Sequence, residues 1–242
     1  MQLASPHPIQ RLGLLTCDSV REHLAARHGE YPAMFERLFK AVRPALELRS
    51  YAVYRDEFPA AVDDCDAWMI TGSRRSVYED EPWIRRLEDF VRALHAARRR
   101  TVGICFGHQL IGRALGGHTE KAAQGWGIGR HAAQVLSREP WMEPYAEAYG
   151  AFVSHQDQVT SLPPGARLLA RNAHCEHSMF VLDDVFLGLQ GHPEFDAGYA
   201  RDLVLGREDI FGRDTVARAL PTYDEPVDSP LLAQWILRFL EH

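Results

Sequence analysis

Several features that mark particular protein classes are absent or sparse in this sequence. Its 242 residues include four cysteines, Cys17, Cys65, Cys105 and Cys175, and no two of them are close in sequence. This spacing excludes a disulfide scaffold and a Cys-x-x-Cys metal or redox site. No apolar run approaches the roughly 18 residues of a membrane span, and the N-terminal residues 1–15 show no signal peptide. We therefore expect a soluble protein of a reducing compartment, cytoplasmic in a bacterium.

Positive charge is also scarce relative to negative charge. The formal net charge is -6 at pH 7, which argues against a nucleic-acid partner. Hydrophobic residues, in contrast, are plentiful. They make up 46% of the sequence, which is enough for a substantial core. The length suits one α/β domain, and we predict a single domain over residues 1–242.

The apolar pattern predicts an order of strands and helices. In the first half, strands are expected at 11–17, 46–54, 66–71 and 101–104, and helices at 32–42, 81–97 and 108–115. In the second half, strands are expected at 127–136, 151–154, 167–172, 178–182 and 185–190, a hairpin turn at Asp183-Asp184, helices at 196–205 and 231–240, and a surface loop at 221–230. This order predicts an α/β fold, with a mostly parallel central sheet flanked by helices and a strand-rich C-terminal half.

One short stretch combines a strand, a cysteine and a helix. Cys105 follows an apolar strand, stands between Gly103 and Gly107, and precedes a helical pattern. Gly-x-Cys-x-Gly at such a corner has the form of a nucleophile elbow, in which the central side chain is held exposed in a strained backbone conformation. The start of the helix also favours a thiolate. For Cys105 we therefore predict a nucleophile, whereas Cys17 and Cys65 are interpreted as small buried hydrophobes.

A cysteine nucleophile needs a base, and the base needs an orienting group. The sequence Gly191-His192-Pro193-Glu194 directly follows the last apolar strand. In an extended segment, side chains two residues apart project to the same side, so Glu194 is expected to reach the imidazole of His192. The other ring nitrogen would then face Cys105.

Four motifs now carry a family resemblance. GICFGHQ at 103–109, GHPE at 191–194, ITGS at 70–73 and SHQDQV at 154–159 together resemble the class I glutamine amidotransferases. The likeness is nearest to the glutaminase domain of GMP synthetase and its stand-alone relatives, and it runs from Asp66 to Phe195. The resemblance implies a flavodoxin-like sheet and a reaction in which Cys105 attacks the side-chain amide of glutamine, His192 relays protons and Glu194 orients His192.

The resemblance also implies where the substrate is held. The backbone N–H groups of Gly72 and Phe106 would form the oxyanion hole, and Gln109 would contact the substrate. The segment Ser154-His155-Gln156-Asp157 resembles the loop that reads the α-amino and α-carboxylate groups. GMP synthetase usually has His-Gly-Asp at this loop, so Gln156 is a departure that bears on strict glutamine specificity.

No cofactor or metal is implied, and the partners are expected to be small molecules. The sequence contains no Gly-x4-Gly-Lys-Ser/Thr phosphate loop. An ammonia acceptor would therefore belong to a separate synthetase subunit. The run His174-Cys175-Glu176-His177 is not interpreted as a metal site, because consecutive residues of a strand alternate between its faces.

Three alternatives remain open at this stage. One is a self-sufficient γ-glutamyl hydrolase or peptidase that acts on a small γ-glutamyl compound through the same triad. A second is a non-catalytic binding protein on the same fold. A third is a different cysteine hydrolase with an elbow, against which the position of Glu194 two residues after His192 argues.

Overall fold

The computed structural model describes residues 8–242; the first seven residues, part of the N-terminal stretch without a signal-peptide pattern, lie outside the described residues. Within the described part, eleven strands are present: β1 Arg11–Thr16, β2 Glu47–Ala52, β3 Ala67–Ile70, β4 Thr101–Ile104, β5 His118–Lys121, β6 Gly127–Val135, β7 Ala148–His155, β8 Asp157–Ser161, β9 Ala166–Arg171, β10 Met179–Leu182 and β11 Phe186–Leu189. The helices of the same part are α1 Glu22–His28, α2 Tyr31–Lys40, α3 Pro82–Ala96, α4 Phe106–Ala114, α5 Ala197–Leu205, α6 Glu208–Phe211, α7 Arg213–Ala219 and α8 Ser229–Glu241.

Nine of the strands form one sheet in the order β2-β1-β3-β4-β11-β10-β9-β6-β7. The five strands from β2 to β11 run parallel, and the remaining four pair antiparallel. The predicted α/β class, with a parallel centre and a strand-rich C-terminal half, is confirmed. Strands β5 and β8 form a separate antiparallel pair.

Both faces of the parallel strands are covered, which explains why these strands are apolar at successive positions. On one face, Leu14 and Val102 pack in a cluster with Phe35 of α2 and Trp235 of α8. On the other face, a second cluster holds Leu15, Trp68 and Ile70 together with apolar residues of α3 and α4. The sheet is thereby a rigid platform, and the loops at the carboxyl ends of its strands lie at one edge.

The amphipathic helices and apolar strands of the sequence interpretation are confirmed within a few residues. The hairpin turn is confirmed as well, since Asp183 and Asp184 both have positive φ between the antiparallel strands β10 and β11. The predicted surface loop at 221–230 is wrong in part, because a 3-10 helix occupies Leu220–Asp224 and α8 begins at Ser229. Five elements were not predicted, namely α1, β5, β8, α6 and α7.

In the described part of the chain, no helix combines the length and the hydrophobicity that crossing a bilayer requires.

Candidate active site

Four loops meet at the carboxyl ends of neighbouring parallel strands. They follow β1, β3, β4 and β11, which are adjacent in the sheet. Asp18, Gly72, Cys105 and His192 stand in these loops, one in each. Open parallel sheets bind ligands at this edge, so the topology alone brings the candidate residues together.

The turn at Cys105 has the strained backbone that the sequence predicts. Cys105 precedes the first helical residue of α4 and adopts φ 50° and ψ -98°, a conformation that costs a β-carbon-bearing residue about 1–3 kcal/mol. A methyl group on Gly103 would lie 2.4 Å from the carbonyl carbon of Gly107, and one on Gly107 would lie 2.4 Å from the carbonyl oxygen of Ile70. Both glycines are therefore required for the tight corner.

The expectation that the thiol is exposed at the top of the sheet is wrong. Cys105 is only 5% exposed and forms part of the wall of a cavity of about 240 Å³. The cavity is walled by the loop around Gly72, by His192 and by the segment from Ser154 to Asp157. These segments cover the turn at Cys105, so the thiol faces the cavity and is largely shielded from bulk solvent.

His192 and Glu194 form a buried pair beside this cavity. Nδ1 of the imidazole lies 2.8 Å from Oε1 of the carboxylate, and both side chains are almost fully buried. The sequence interpretation assumed an extended backbone from His192 to Glu194. The structure shows a turn there instead. The N–H of His192 donates to the carbonyl of Phe152 at 2.9 Å, and the chain then turns at Pro193, which brings Glu194 back to the imidazole.

The surroundings of His192 favour the imidazolium. Burial lowers the pKa of His192, but the negative charges of Glu194 and of a Cys105 thiolate outweigh burial and raise this pKa above its ordinary value. The ring of Phe195 stacks on the imidazole with a centroid distance of 4.0 Å and an interplanar angle of 5°. This parallel stacking fixes the plane of the imidazole, and a cation above an aromatic face is favourable.

Gly72 and Phe106, the predicted oxyanion donors, both lie beside Cys105. A methyl group on Gly72 would lie 2.8 Å from Cε1 of His192 and 3.7 Å from Cβ of Cys105. Phe106 is the first residue of α4, where backbone N–H groups lack intrahelical acceptors. Within residues 8–242, neither of these two N–H groups donates a hydrogen bond to another residue.

The predicted substrate residues line the same cavity as Cys105. Gln109 is buried, and its amide nitrogen donates to the carbonyl of Asp157 at 2.7 Å and to Oε1 of Gln190 at 3.2 Å. The carboxylate of Asp157 accepts a hydrogen bond from the hydroxyl of Tyr78 at 2.9 Å. Gln156 lies in the connection between β7 and β8. The predicted contact residues are thus held in place by hydrogen bonds.

His155 and Ser154 complete this part of the wall. Nδ1 of His155 donates to the carbonyl of Asp157 at 3.1 Å. Burial and the nearby His174 lower the pKa of His155 well below its ordinary value, so this ring is neutral. Within the described chain, Oγ of Ser154 and Nε2 of His155 are buried without hydrogen-bond partners.

The segment from His174 to His177 is a turn between β9 and β10, not the strand on which the argument against metal binding relied. The ring of His174 packs edge-to-face against those of His131 and His155, with centroid distances of 5.5 and 5.6 Å. No group of three or more His, Cys, Asp or Glu side chains among residues 8–242 has an arrangement that could hold a metal ion.

The sequence interpretation missed the residues that support and close the cavity. Asp18 accepts hydrogen bonds from the backbone N–H of Arg74 at 2.8 Å and from its guanidinium at 2.6 and 2.9 Å. This clamp holds the loop that carries Gly72. Arg21, Trp126 and Arg207 also line the cavity. They are far apart in sequence and belong to no motif, so only the fold identifies them.

Comparisons with known proteins give a family match, similar relatives and a shared fold. Residues 40–208 match the family model described as glutamine amidotransferase class-I. A glutamine amidotransferase-like protein of Schizosaccharomyces pombe is 28% identical over 248 residues, which cover 95% of this chain and 98% of that relative. Gamma-glutamyl peptidase 3 of Arabidopsis thaliana is 31% identical over 193 residues, or 76% of each chain. A glutamine amidotransferase from Thermotoga maritima shares the fold, with a TM-score of 0.78 at 18% identity over 96% of this chain and 99% of that one.

Proposed function

Because the chain belongs to the class-I glutamine amidotransferase family, we propose that it hydrolyses a γ-glutamyl amide bond with Cys105, His192 and Glu194. Cys105 is the nucleophile, His192 carries protons and Glu194 orients His192. The observation that carries this proposal is the pair of His192 and Glu194 at 2.8 Å, placed at the cavity that Cys105 also lines. An imidazole turned away from the cavity would not support such chemistry.

The reaction proceeds in two balanced steps. The Cys105 thiolate attacks the amide carbon, and the carbon–nitrogen bond breaks as the departing nitrogen takes a proton from the His192 imidazolium. Water then attacks the thioester carbon, and the neutral His192 accepts one proton from it. The carbon–sulfur bond breaks, which releases glutamate, with its carboxyl proton passing to solvent, and regenerates the Cys105 thiolate and the His192 imidazolium. Because the reaction needs a reduced thiol, we place the protein in a reducing compartment such as the cytoplasm.

The negative charge of the tetrahedral intermediate is assigned to the backbone N–H groups of Gly72 and Phe106. Both lack acceptors within the described chain, so no existing hydrogen bond has to break when an oxyanion forms. A donor that is aimed in advance at developing charge contributes about 3 kcal/mol to the rate. The start of α4 adds a favourable partial charge.

The first candidate substrate is glutamine, with ammonia released for a separate synthetase. The family match and the named S. pombe relative support this candidate. We assign Gln109 and the segment from Ser154 to Asp157 to the recognition of the α-amino and α-carboxylate groups, since they line the cavity beside Cys105.

A second candidate is a γ-glutamyl peptide that the chain cleaves without a partner. Gamma-glutamyl peptidase 3 of A. thaliana, with 31% identity over 76% of both chains, supports it. So does Gln156, whose side chain lines the cavity at the position where GMP synthetase usually has glycine. Both candidates use the same residues and the same thioester, and they differ only in the amine that departs.

Glutamate release by the purified chain tests the proposal. The substrates are glutamine and a panel of γ-glutamyl amides and peptides, and the variants are Cys105→Ala and, as a matched control, the buried but remote Cys65→Ala. Cys105→Ala is expected to lower turnover by about 10³-fold or more, whereas Cys65→Ala retains it. An electrophilic glutamine analogue is expected to label Cys105 alone among the four cysteines. Retained turnover in Cys105→Ala would remove the nucleophile assignment.

A further inference from the structure

The cavity beside Cys105 is lined by an excess of positive charge. Its basic residues are Arg21, Arg74, Arg75, Lys121 and Arg207, and the carboxylate among its candidate recognition residues is Asp157. Arg74 is paired with Asp18 at 2.6 Å, and Arg75 is paired with Glu79 at 3.0 Å and Glu81 at 3.2 Å. The other three have no carboxylate within 4.0 Å among residues 8–242.

Arg207 is the most strongly held of these three unpaired cations. Its guanidinium lies over the ring of Phe211 at 4.5 Å and over the ring of Trp126 at 5.3 Å. Its Nε is buried and has no hydrogen-bond partner in the described part of the chain. Burial and the nearby charge of Arg21 lower the pKa of Arg207.

This arrangement is unfavourable without an anion. A partly desolvated guanidinium beside like charges loses hydration, and its stacking on two aromatic rings supplies no hydrogen-bond acceptor or opposite charge in return. Its planar, stacked form is also the form that binds a carboxylate through two parallel hydrogen bonds. The surroundings of Arg207 therefore suit an anionic group that enters the cavity.

Glutamine does not balance this charge. As a zwitterion it brings one carboxylate and one ammonium group, and the ammonium is the natural partner of Asp157. One carboxylate would then face three unpaired cations, Arg21, Lys121 and Arg207. A substrate with a second negative group, on the amine that departs, fits the charge of the cavity better.

We propose that Arg207, backed by Trp126 and Phe211 and assisted by Arg21, binds a carboxylate on the departing amine, so that the preferred substrate is a γ-glutamyl amino acid or peptide instead of glutamine. This inference rests on the proposed function, because it concerns the same cavity and the same thioester chemistry. It adds the residue that distinguishes a γ-glutamyl peptide from glutamine. The α-carboxylate of the glutamyl group is the competing source of the same chemistry, and the experiment separates the two.

The test compares γ-glutamylglycine with γ-glutamylglycinamide, which differ only in carboxylate against neutral amide. We expect kcat/KM of the wild-type protein to favour γ-glutamylglycine by about tenfold or more, the scale of one charge-assisted hydrogen bond. Arg207→Gln is expected to bring the ratio close to one, and Arg207→Lys to give an intermediate ratio. Arg218→Gln, which removes the same charge at an exposed position of α7, is the matched control and should keep the wild-type ratio.

Two results would overturn the proposal. One is a wild-type ratio near one. The other is an unchanged ratio in Arg207→Gln; if activity then falls equally with both substrates, Arg207 is assigned to the α-carboxylate. Thermal unfolding checks that the variants fold, and Arg21→Gln, which leaves Arg207 intact, should lower the ratio in the same direction if Arg207→Gln does not fold.

A binding measurement keeps this inference separate from the proposed function. In the Cys105→Ala background, calorimetry should show that γ-glutamylglycine binds about tenfold more tightly than γ-glutamylglycinamide. Adding Arg207→Gln should remove this difference in affinity. If no substrate is turned over but this difference is found, the proposed hydrolysis fails and the anion site stands. Equal affinity for the two compounds would reject the anion site whatever the turnover.

Discussion

The proposed catalytic corner and the proposed anion-binding wall of the cavity are built in different ways. The corner, defined as Cys105, His192 and Glu194, is held by backbone geometry within two short segments. The wall, defined as Arg21, Trp126 and Arg207, comes from three segments that meet only through packing around α1 and α5. The first region leaves a pattern in the sequence, and the second leaves none.

This difference separates two kinds of effect. On the proposed mechanism, a substitution in the corner changes a reacting group or the residue that positions it, so it should lower kcat for every γ-glutamyl substrate alike. A substitution in the wall changes which substrate is held, so it should change the ratio between substrates. A changed substrate ratio in a corner variant, or an equal loss for all substrates in a wall variant, would contradict this distinction.

The largest effects are expected at the proton carrier and its orienting group. His192→Ala removes the proton carrier and should lower kcat by about 10⁴-fold, whereas Glu194→Gln leaves the imidazole and should cost about 10²-fold. The pKa of His192 is raised partly by Glu194. The alkaline limb of kcat/KM in Glu194→Gln should therefore move to lower pH, which full pH profiles of both variants would show.

A reversed order of these two losses would contradict the assigned roles. An alkaline limb that stays in place in Glu194→Gln would mean that the carboxylate does not act on the imidazole. Glu208→Gln, an exposed carboxylate of α6, is the control for the loss of one negative charge.

A loss close to that of Glu194→Gln is expected at Gly72, which lies beside His192 and Cys105. The methyl group of Gly72→Ala would lie 2.8 Å from Cε1 of His192, so the imidazole has to move. Displacement of a catalytic group by about 1 Å costs about 10²-fold. Gly206→Ala is the control, because a methyl group there meets no atom closer than 3.5 Å. Equal kcat values for the two variants would show that His192 tolerates a shift.

The sequence predicted the parallel sheet and its covering helices well because their apolar periodicity reports burial directly. It missed α1, α6 and α7 because these helices have seven residues or fewer, too short for a periodic pattern to emerge. Strands β5 and β8 were missed because they form a two-stranded pair apart from the main sheet, with exposed and buried positions that do not alternate cleanly.

The corner could be predicted for a steric reason, whereas the wall could not. Gly103 and Gly107 are needed at fixed offsets from Cys105, and such a requirement is readable in one sequence. Arg207 stacks on Trp126, which lies 81 positions away, and nothing local marks either residue. The clamp between Asp18 and Arg74 is likewise a tertiary contact, so the support of the Gly72 loop appears only in the structure.

The last prediction concerns the contribution of His108, in helix α4, to the stability of the fold. Replacing His108 should leave the ratio of kcat/KM between substrates unchanged. His108 lies in the first turns of α4, fully buried, and burial lowers its pKa from 6.5 to about 3. The unfolded chain takes up a proton near pH 6.5, whereas the folded chain keeps His108 neutral until about pH 3. Acidification between these values therefore favours unfolding, and this one group should remove about 2 kcal/mol of stability between pH 7 and pH 5.

Urea unfolding of the wild type and of His108→Leu at several pH values measures this contribution. The variant should lose less stability on acidification, by about 2 kcal/mol, even if the substitution lowers its stability at pH 7. His118→Leu, at an exposed histidine of β5, is the control and should follow the wild type. Parallel curves for the wild type and His108→Leu would mean that a proton reaches His108 in the folded chain. Helix α4 would then be open to solvent near His108. That would contradict the rigid support for Cys105 on which the comparison of the corner with the wall depends.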